Sequence, residues 1–354
     1  MKKNISLIII SLIFVFGSLE IFLKFLYPQN LDGWYATRDQ TGLNILKPNT
    51  VFYHRINNRN IKYTFGNFNN RKTINSLNKK KILILGDSFT FGWLVEDKDI
   101  FVNHLQKKFN NYYFVNSSVP GWGTSDYLRF IENYCNQIAP EKILIILNTD
   151  DVTRSWLSKM YKFKINDLEN FDRNYISLGS EEKLNYDSKY HKIPFYKFLV
   201  KNSHLFVFLR QIIVDIKNDN FSLFKIKKNK NNFETFNLPS QDLTSHLNEA
   251  VILVKMLFLR MKEVNEKCNS DLTVIYTGWA DYNYQTSKNN PTTKFLMEAS
   301  VFFKKNNIRY YDLTDKMRIV HKNFNDYLIP MDGHPNEKGH KIIAEKIIEN
   351  IKLN

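Results

Sequence analysis

A chain of 354 residues carries 50 Lys and Arg against 35 Asp and Glu, a formal net charge of +15. Its 43% hydrophobic and 15% aromatic content excludes a mainly disordered chain, and its two cysteines exclude a multi-disulfide scaffold or a four-cysteine zinc site. The positive charge is mostly scattered Lys, with compact clusters only at Lys79-Lys80-Lys81 and from Lys225 to Lys230, so a solvated basic face is preferred over nucleic-acid binding.

In chain order, the first element is apolar. Met1-Lys2-Lys3-Asn4 precedes an uncharged run from Ile5 to Leu19, apolar residues continue to Leu26, and Pro28 ends the segment. As a helix, Ile5 to Leu26 reaches about 33 Å, enough for a bilayer core. A cleaved signal peptide is the competing reading, but the apolar stretch is long and no small-x-small site follows. An uncleaved membrane anchor over residues 1–28 is therefore expected. Lys2 and Lys3 place the N-terminus in the cytoplasm and the rest outside, in the periplasm or at the cell surface.

Residues 29–75 are polar, aromatic and Asn-rich, with extended pieces at Val51–His54 and Ile61–Phe65, and read as a stalk packing on the main domain. From Lys81 continuous apolar runs appear: Ile82–Leu85, Tyr113–Val115, Ile143–Leu147, Leu272–Tyr276 and Tyr310–Leu313. Such runs mark strands buried on both faces. Helical patterns lie between and after them, at about Ser125–Ile138, Leu243–Cys268 and Glu337–Ile351. The alternation predicts an α/β domain over 76–354, a parallel sheet with helices on both sides. A basic, aromatic insertion at about 152–240 interrupts it, with an amphipathic helix from Phe195 to Ile216 that serves either as a lid or substrate platform or as packing.

Chemistry concentrates at two places. Directly after the first apolar strand comes Gly86-Asp87-Ser88-Phe89-Thr90-Phe91-Gly92, where a sharp strand-to-helix turn lifts the Ser88 hydroxyl above the sheet edge. Near the C-terminus is Met331-Asp332-Gly333-His334-Pro335-Asn336, where Asp332 can orient the His334 imidazole as a base toward Ser88, with Asn336 a helix cap. His340 lies in the following helical pattern and reads as structural. His54, His104, His191, His204, His246 and His321 show no metal-ligand spacing, and no cofactor is implied. Trp93 and Trp122 flank the motifs and suit either sugar stacking or core packing. Cys135, on an apolar helix face, reads as a buried thiol rather than as the disulfide partner of Cys268.

These blocks together resemble the SGNH (GDSL-type) serine hydrolases. Gly86-Asp87-Ser88 is similar to the family's first block, Asn116 to Thr124 to its second, with Gly121 in the oxyanion position, and Asp332 with His334 to its last. The resemblance covers roughly 76–151 and 270–354, and implies a three-layer, flavodoxin-like sheet. The third block departs from the pattern: Leu147-Asn148-Thr149-Asp150-Asp151 puts Asp150 where the family has an oxyanion-donating Asn. An ionised Asp only accepts hydrogen bonds. Either Asp150 is protonated, or Asn148 reaches in, or the backbone of Ser88 and Gly121 suffices, or the site is weak; Asp150→Asn raises activity if the residue is only a damaged donor.

The resemblance implies serine-dependent hydrolysis of an ester, with an acylated carbohydrate as substrate. The same triad would make an O-acetyltransferase of a cell-surface polysaccharide if a membrane partner supplied the acyl donor. The third reading is an inactive glycan-binding module.

Overall fold

In a computed structural model the described residues are 2–31, 34–56, 59–73, 79–158, 160–161, 194–217, 243–279, 291–317, 322–330 and 332–351. Most of the expected insertion, including the Lys225 to Lys230 cluster, lies outside them.

The five continuous apolar runs form one sheet. Its strands are β5 (Lys80–Leu85), β6 (Tyr112–Asn116), β7 (Lys142–Leu147), β8 (Asp271–Tyr276) and β9 (Arg309–Asp312). They lie in the order β6-β5-β7-β8-β9, and every pairing is parallel. β6 and β7 are buried along their whole length, as strands covered on both faces must be. Chain order reverses between β5 and β7, and the crevice beyond the carboxyl ends of such strands is where ligands bind in open α/β sheets.

Helices cover both faces. One layer holds α3 (Phe101–Lys108) and α10 (Glu337–Asn350), packed on Ile82, Ile84 and Phe114. The other holds α4 (Thr124–Ile138), α5 (Asp150–Ser158), α8 (Leu243–Lys267) and α9 (Pro291–Lys305). Cys135 on α4 and Cys268, one residue past α8, form a disulfide with Cα atoms 6.2 Å apart. The expectation of a free buried thiol is thus corrected: the last turn of α8 brings Cys268 onto the same face of the sheet as Cys135.

Before the sheet come β1 (Ala36–Arg38) and β2 (Asn44–Leu46), an antiparallel pair, then β3 (Val51–Ile56) and β4 (Arg59–Thr64), a second two-stranded sheet. The described residues of 35–50 and 54–73 belong to the same compact unit as the five-stranded sheet. Arg71 N donates to Asn116 O at the end of β6, and the Thr73 hydroxyl donates to Phe114 O.

A second, smaller unit comprises the described residues of 1–34, 51–53 and 182–237. It holds α1 (Lys2–Leu26), α6 (Tyr196–Asn202) and α7 (His204–Lys217). The single helix expected over Phe195–Ile216 is thus two, broken at Ser203, whose side chain caps the second by accepting from Phe206 N. Among the described residues, no helix is long and apolar enough to cross a membrane. The expected spanning segment instead appears as a 25-residue helix with exposed apolar side chains, whose one carboxylate, Glu20, turns into α7.

Candidate active site

The nucleophile turn is built by its flanking glycines and by Asp87. A Cβ on Gly86 would lie 2.2 Å from the Thr90 hydroxyl, so only glycine lets the chain fold back there. Asp87 then caps α2 (Ser88–Phe91), a single helical turn, by accepting from Phe89 N at 3.0 Å. Gly92 ends it at φ +83°. Ser88 is thereby held at the first position of α2, 8% exposed.

The second motif folds against it from 246 residues away. His334 Nε2 accepts from Ser88 Oγ at 2.7 Å, and His334 Nδ1 donates to Asp332 Oδ1 at 2.6 Å. Gly333 at φ +86° makes the sharp turn that lets residues two apart meet side chain to side chain. Ile329 N donates to His334 O, and the Asn336 side chain caps α10 by accepting from Gly339 N at 3.0 Å. Burial would raise the Asp332 carboxyl, but hydrogen bonds from His334 and the Trp93 side chain outweigh it and hold Asp332 below the usual carboxylate range. It is therefore ionised at neutral pH and fixes the tautomer that leaves Nε2 free to take the Ser88 proton. The Phe89 ring sits 4.8 Å from the imidazole, and Trp93 6.1 Å.

The expected oxyanion residues divide. Gly121 stands at φ +85° in the loop after β6, and a Cβ there would meet nothing within 4 Å. That loop is tied to the nucleophile turn by Val119 N donating to Gly86 O, and by Asn116 Nδ2 donating to Thr90 O. Asn148 is buried; its amide donates to Asp87 Oδ1 at 2.8 Å and its carbonyl accepts from Thr277 Oγ1. Asp150 opens α5 with a side chain 72% exposed, paired to Arg154 Nη2 at 3.3 Å. Trp122 is buried, its indole N–H donating to Asn44 O, so the packing reading holds for it.

Two arginines escaped the motif reading. Arg154, also on α5, donates through Nη1 to Asp87 Oδ2 at 2.9 Å, to Asp151 Oδ1 and to Trp122 O. Burial and the adjacent Asp87 charge push the Asp151 carboxyl well above its ordinary range, although Arg154 and Asn148 N oppose the shift. Arg71 is fully buried, and its guanidinium donates to the carbonyls of Phe91, Gly92 and Val95 and to Asp97 Oδ1, stacked on the rings of Tyr63 and Phe91. It fixes the segment after α2. Arg71 acts on carbonyls and a carboxylate 20 or more residues away, and although Arg154 also meets Asp150 and Asp151 on its own helix, its bond to Asp87 spans 67 residues, so no local pattern marked either role.

Among the described residues no cluster of His, Cys, Asp or Glu could hold a metal ion. No family model and no curated protein matches the chain. Similar solved structures include a G-D-S-L family lipolytic protein from Desulfitobacterium hafniense, at 12% identity and TM-score 0.42 over 77% of this chain and 100% of that one. Another, from Veillonella parvula, stands at 11% identity and TM-score 0.41 over 78% of this chain and 100% of that one. A third, an acetyl xylan esterase, has 10% identity and TM-score 0.38 over 77% of this chain and 100% of that one. At such scores the likeness is loose, and the Ser88–His334–Asp332 geometry is the stronger observation.

Proposed function

We propose that this chain is a serine hydrolase of the SGNH (GDSL-type) kind that cleaves ester bonds, and the observation that carries the reading is the continuous hydrogen-bonded line Ser88 Oγ–His334–Asp332. Ser88 attacks the ester carbonyl while His334 Nε2 takes its proton. His334 returns that proton to the leaving alkoxide as the ester C–O bond breaks, and Asp332 stabilises the imidazolium throughout. Water, deprotonated by the same imidazole, then releases the acid and restores Ser88. The backbone N–H groups of Ser88 and Gly121 serve the oxyanion, with Asn148 and Arg154 holding Asp87 beneath the nucleophile.

An acylated carbohydrate is the proposed substrate, supported by the partly exposed rings of Phe89 and Trp93 beside the imidazole, which suit a sugar face. If a sugar hydroxyl replaced water, the site would be an O-acetyltransferase fed by a membrane partner; product analysis with and without a glycan acceptor separates the two. We place the catalytic unit outside the cytoplasmic membrane, held there by α1. The exposed apolar side chains of α1 and the Cys135–Cys268 disulfide, a bond characteristic of oxidising compartments, support this.

Fluorophosphonate labelling read by intact mass tests the activity. One adduct is expected on the wild type and none on Ser88→Ala; a folded wild type that takes no label would overturn the triad.

A further inference from the structure

The second unit presents an arrangement that the esterase reading does not use. Glu20 lies in an otherwise apolar stretch of α1, and its carboxylate is consumed by the start of α7. Glu20 Oε1 accepts from His204 N at 2.7 Å, and Oε2 accepts from Ser203 Oγ at 2.7 Å and Leu205 N at 2.9 Å. The anion thus satisfies amides that a helix start otherwise leaves to water. Gln29 N donates to His204 Nδ1, and the Tyr27 ring meets Phe208 edge-on at 6.2 Å. Polar groups are paired between the helices while large apolar side chains face outward: Phe14 and Phe25 on α1, Phe198 on α6, and Leu209 with Ile213 one turn apart on α7. Leu23 is buried, but so many large apolar side chains left exposed are uncommon in water and suit lipid, where polar backbone groups must find partners within the protein.

We propose that α6 and α7 form a membrane-interface element, docked beside α1 through Glu20 and seated in the surface of a lipid bilayer. The proposal rests on the membrane reading of α1 given above. At 14 residues α7 is about 21 Å long, short of the roughly 30 Å hydrocarbon core, so it lies along the interface rather than across it. Exposed Lys24, Lys201 and Arg210 stand among these apolar side chains, where their stems lie along lipid and their charges reach headgroup phosphates. The polar Glu20 pair sets which face of α7 turns inward and leaves Leu209 and Ile213 to the acyl chains.

The full-length protein, reconstituted in phosphatidylcholine–phosphatidylglycerol vesicles, tests this. The native cysteines are disulfide-bonded, so Phe14→Cys, Leu209→Cys, Ile213→Cys and Lys341→Cys each add one labelling site for nitrobenzoxadiazole. Nitroxide-bearing lipid should quench the labels at 14, 209 and 213 at least about two-fold more than the label at 341. Quenching at 14 with 209 and 213 resembling 341 would overturn the proposal while leaving the anchor intact. Quenching at none of the three would overturn the anchor and the proposal together. Glu20→Ala should reduce quenching at 209 and 213 but not at 14; an unchanged pattern would refute the docking role of Glu20.

Discussion

At the scale of single residues, Asp87 has both of its carboxylate oxygens engaged. One oxygen accepts from Phe89 N and the Asn148 amide, and the other from Arg154. The residue preceding the nucleophile is thus clamped from β7 and α5 at once, while the exposed Asp150 touches only the outer nitrogen of the same guanidinium. The two members of this ion-pair set should respond very differently. Arg154→Gln leaves the fully buried Asp87 without its ion-pair partner, a loss of the order of 3–5 kcal/mol in stability with slower fluorophosphonate labelling. Asp150→Asn should alter the labelling rate by no more than about five-fold, the reach of a surface pair. Urea denaturation and labelling kinetics on the two variants check both. A large gain from Asp150→Asn would instead restore the damaged-donor view of that position.

At the scale of elements, the disulfide joins α4 to α8 across a sequence separation of 133. A closed loop of that size constrains the unfolded chain strongly, so Cys135→Ser should cost about 2–5 kcal/mol, seen as a lower denaturation midpoint; reducing agent should destabilise the wild type but not the variant. Elements were legible where burial was apolar. The five strands read directly because runs such as Ile143–Leu147 have no polar face to disguise them. α3 did not, because its inner face carries Asn103 and Gln106; Gln106 satisfies Tyr112 O and Phe114 N of β6 and so looks like surface in a hydropathy pattern. The Ser203 break was written locally, but the apolar residues on either side ran together. The Ser88–His334–Asp332 line was legible because each of its residues sits in a short motif, whereas the bonds of Arg71, and the bond of Arg154 to Asp87, reach groups that only the folded chain brings near.

At the scale of the whole molecule, two buried histidines link stability to pH. Burial lowers His54 to about 4, with Asp332 pulling it up and Arg71 pushing it down. Burial lowers His340 to about 3, reinforced by Arg71, His104 and His334. Unfolding returns both to their ordinary value near 6.5, so below that pH the unfolded chain binds more protons than the folded one. Stability from these groups is present above about 6.5 and is lost as pH falls toward about 4. Asp126, raised to about 6, and the buried Asp151, also raised, act the other way, so the histidine part is read from a variant. On going from pH 7.5 to 4.5 the thermal midpoint of His54→Phe should lose less than that of the wild type, and equal changes in the two would contradict the neutral burial of His54.

The 246 residues that separate Ser88 from His334 also have a meaning in time. A ribosome adding about 5–20 residues per second needs on the order of 12–50 s to pass from the nucleophile to its base. Throughout that interval Ser88 has neither proton acceptor nor oriented imidazole, and it is an ordinary alcohol. Reactivity is acquired only when the turn before α10 docks, so the nascent chain is harmless to esters around it and becomes an enzyme in one late step.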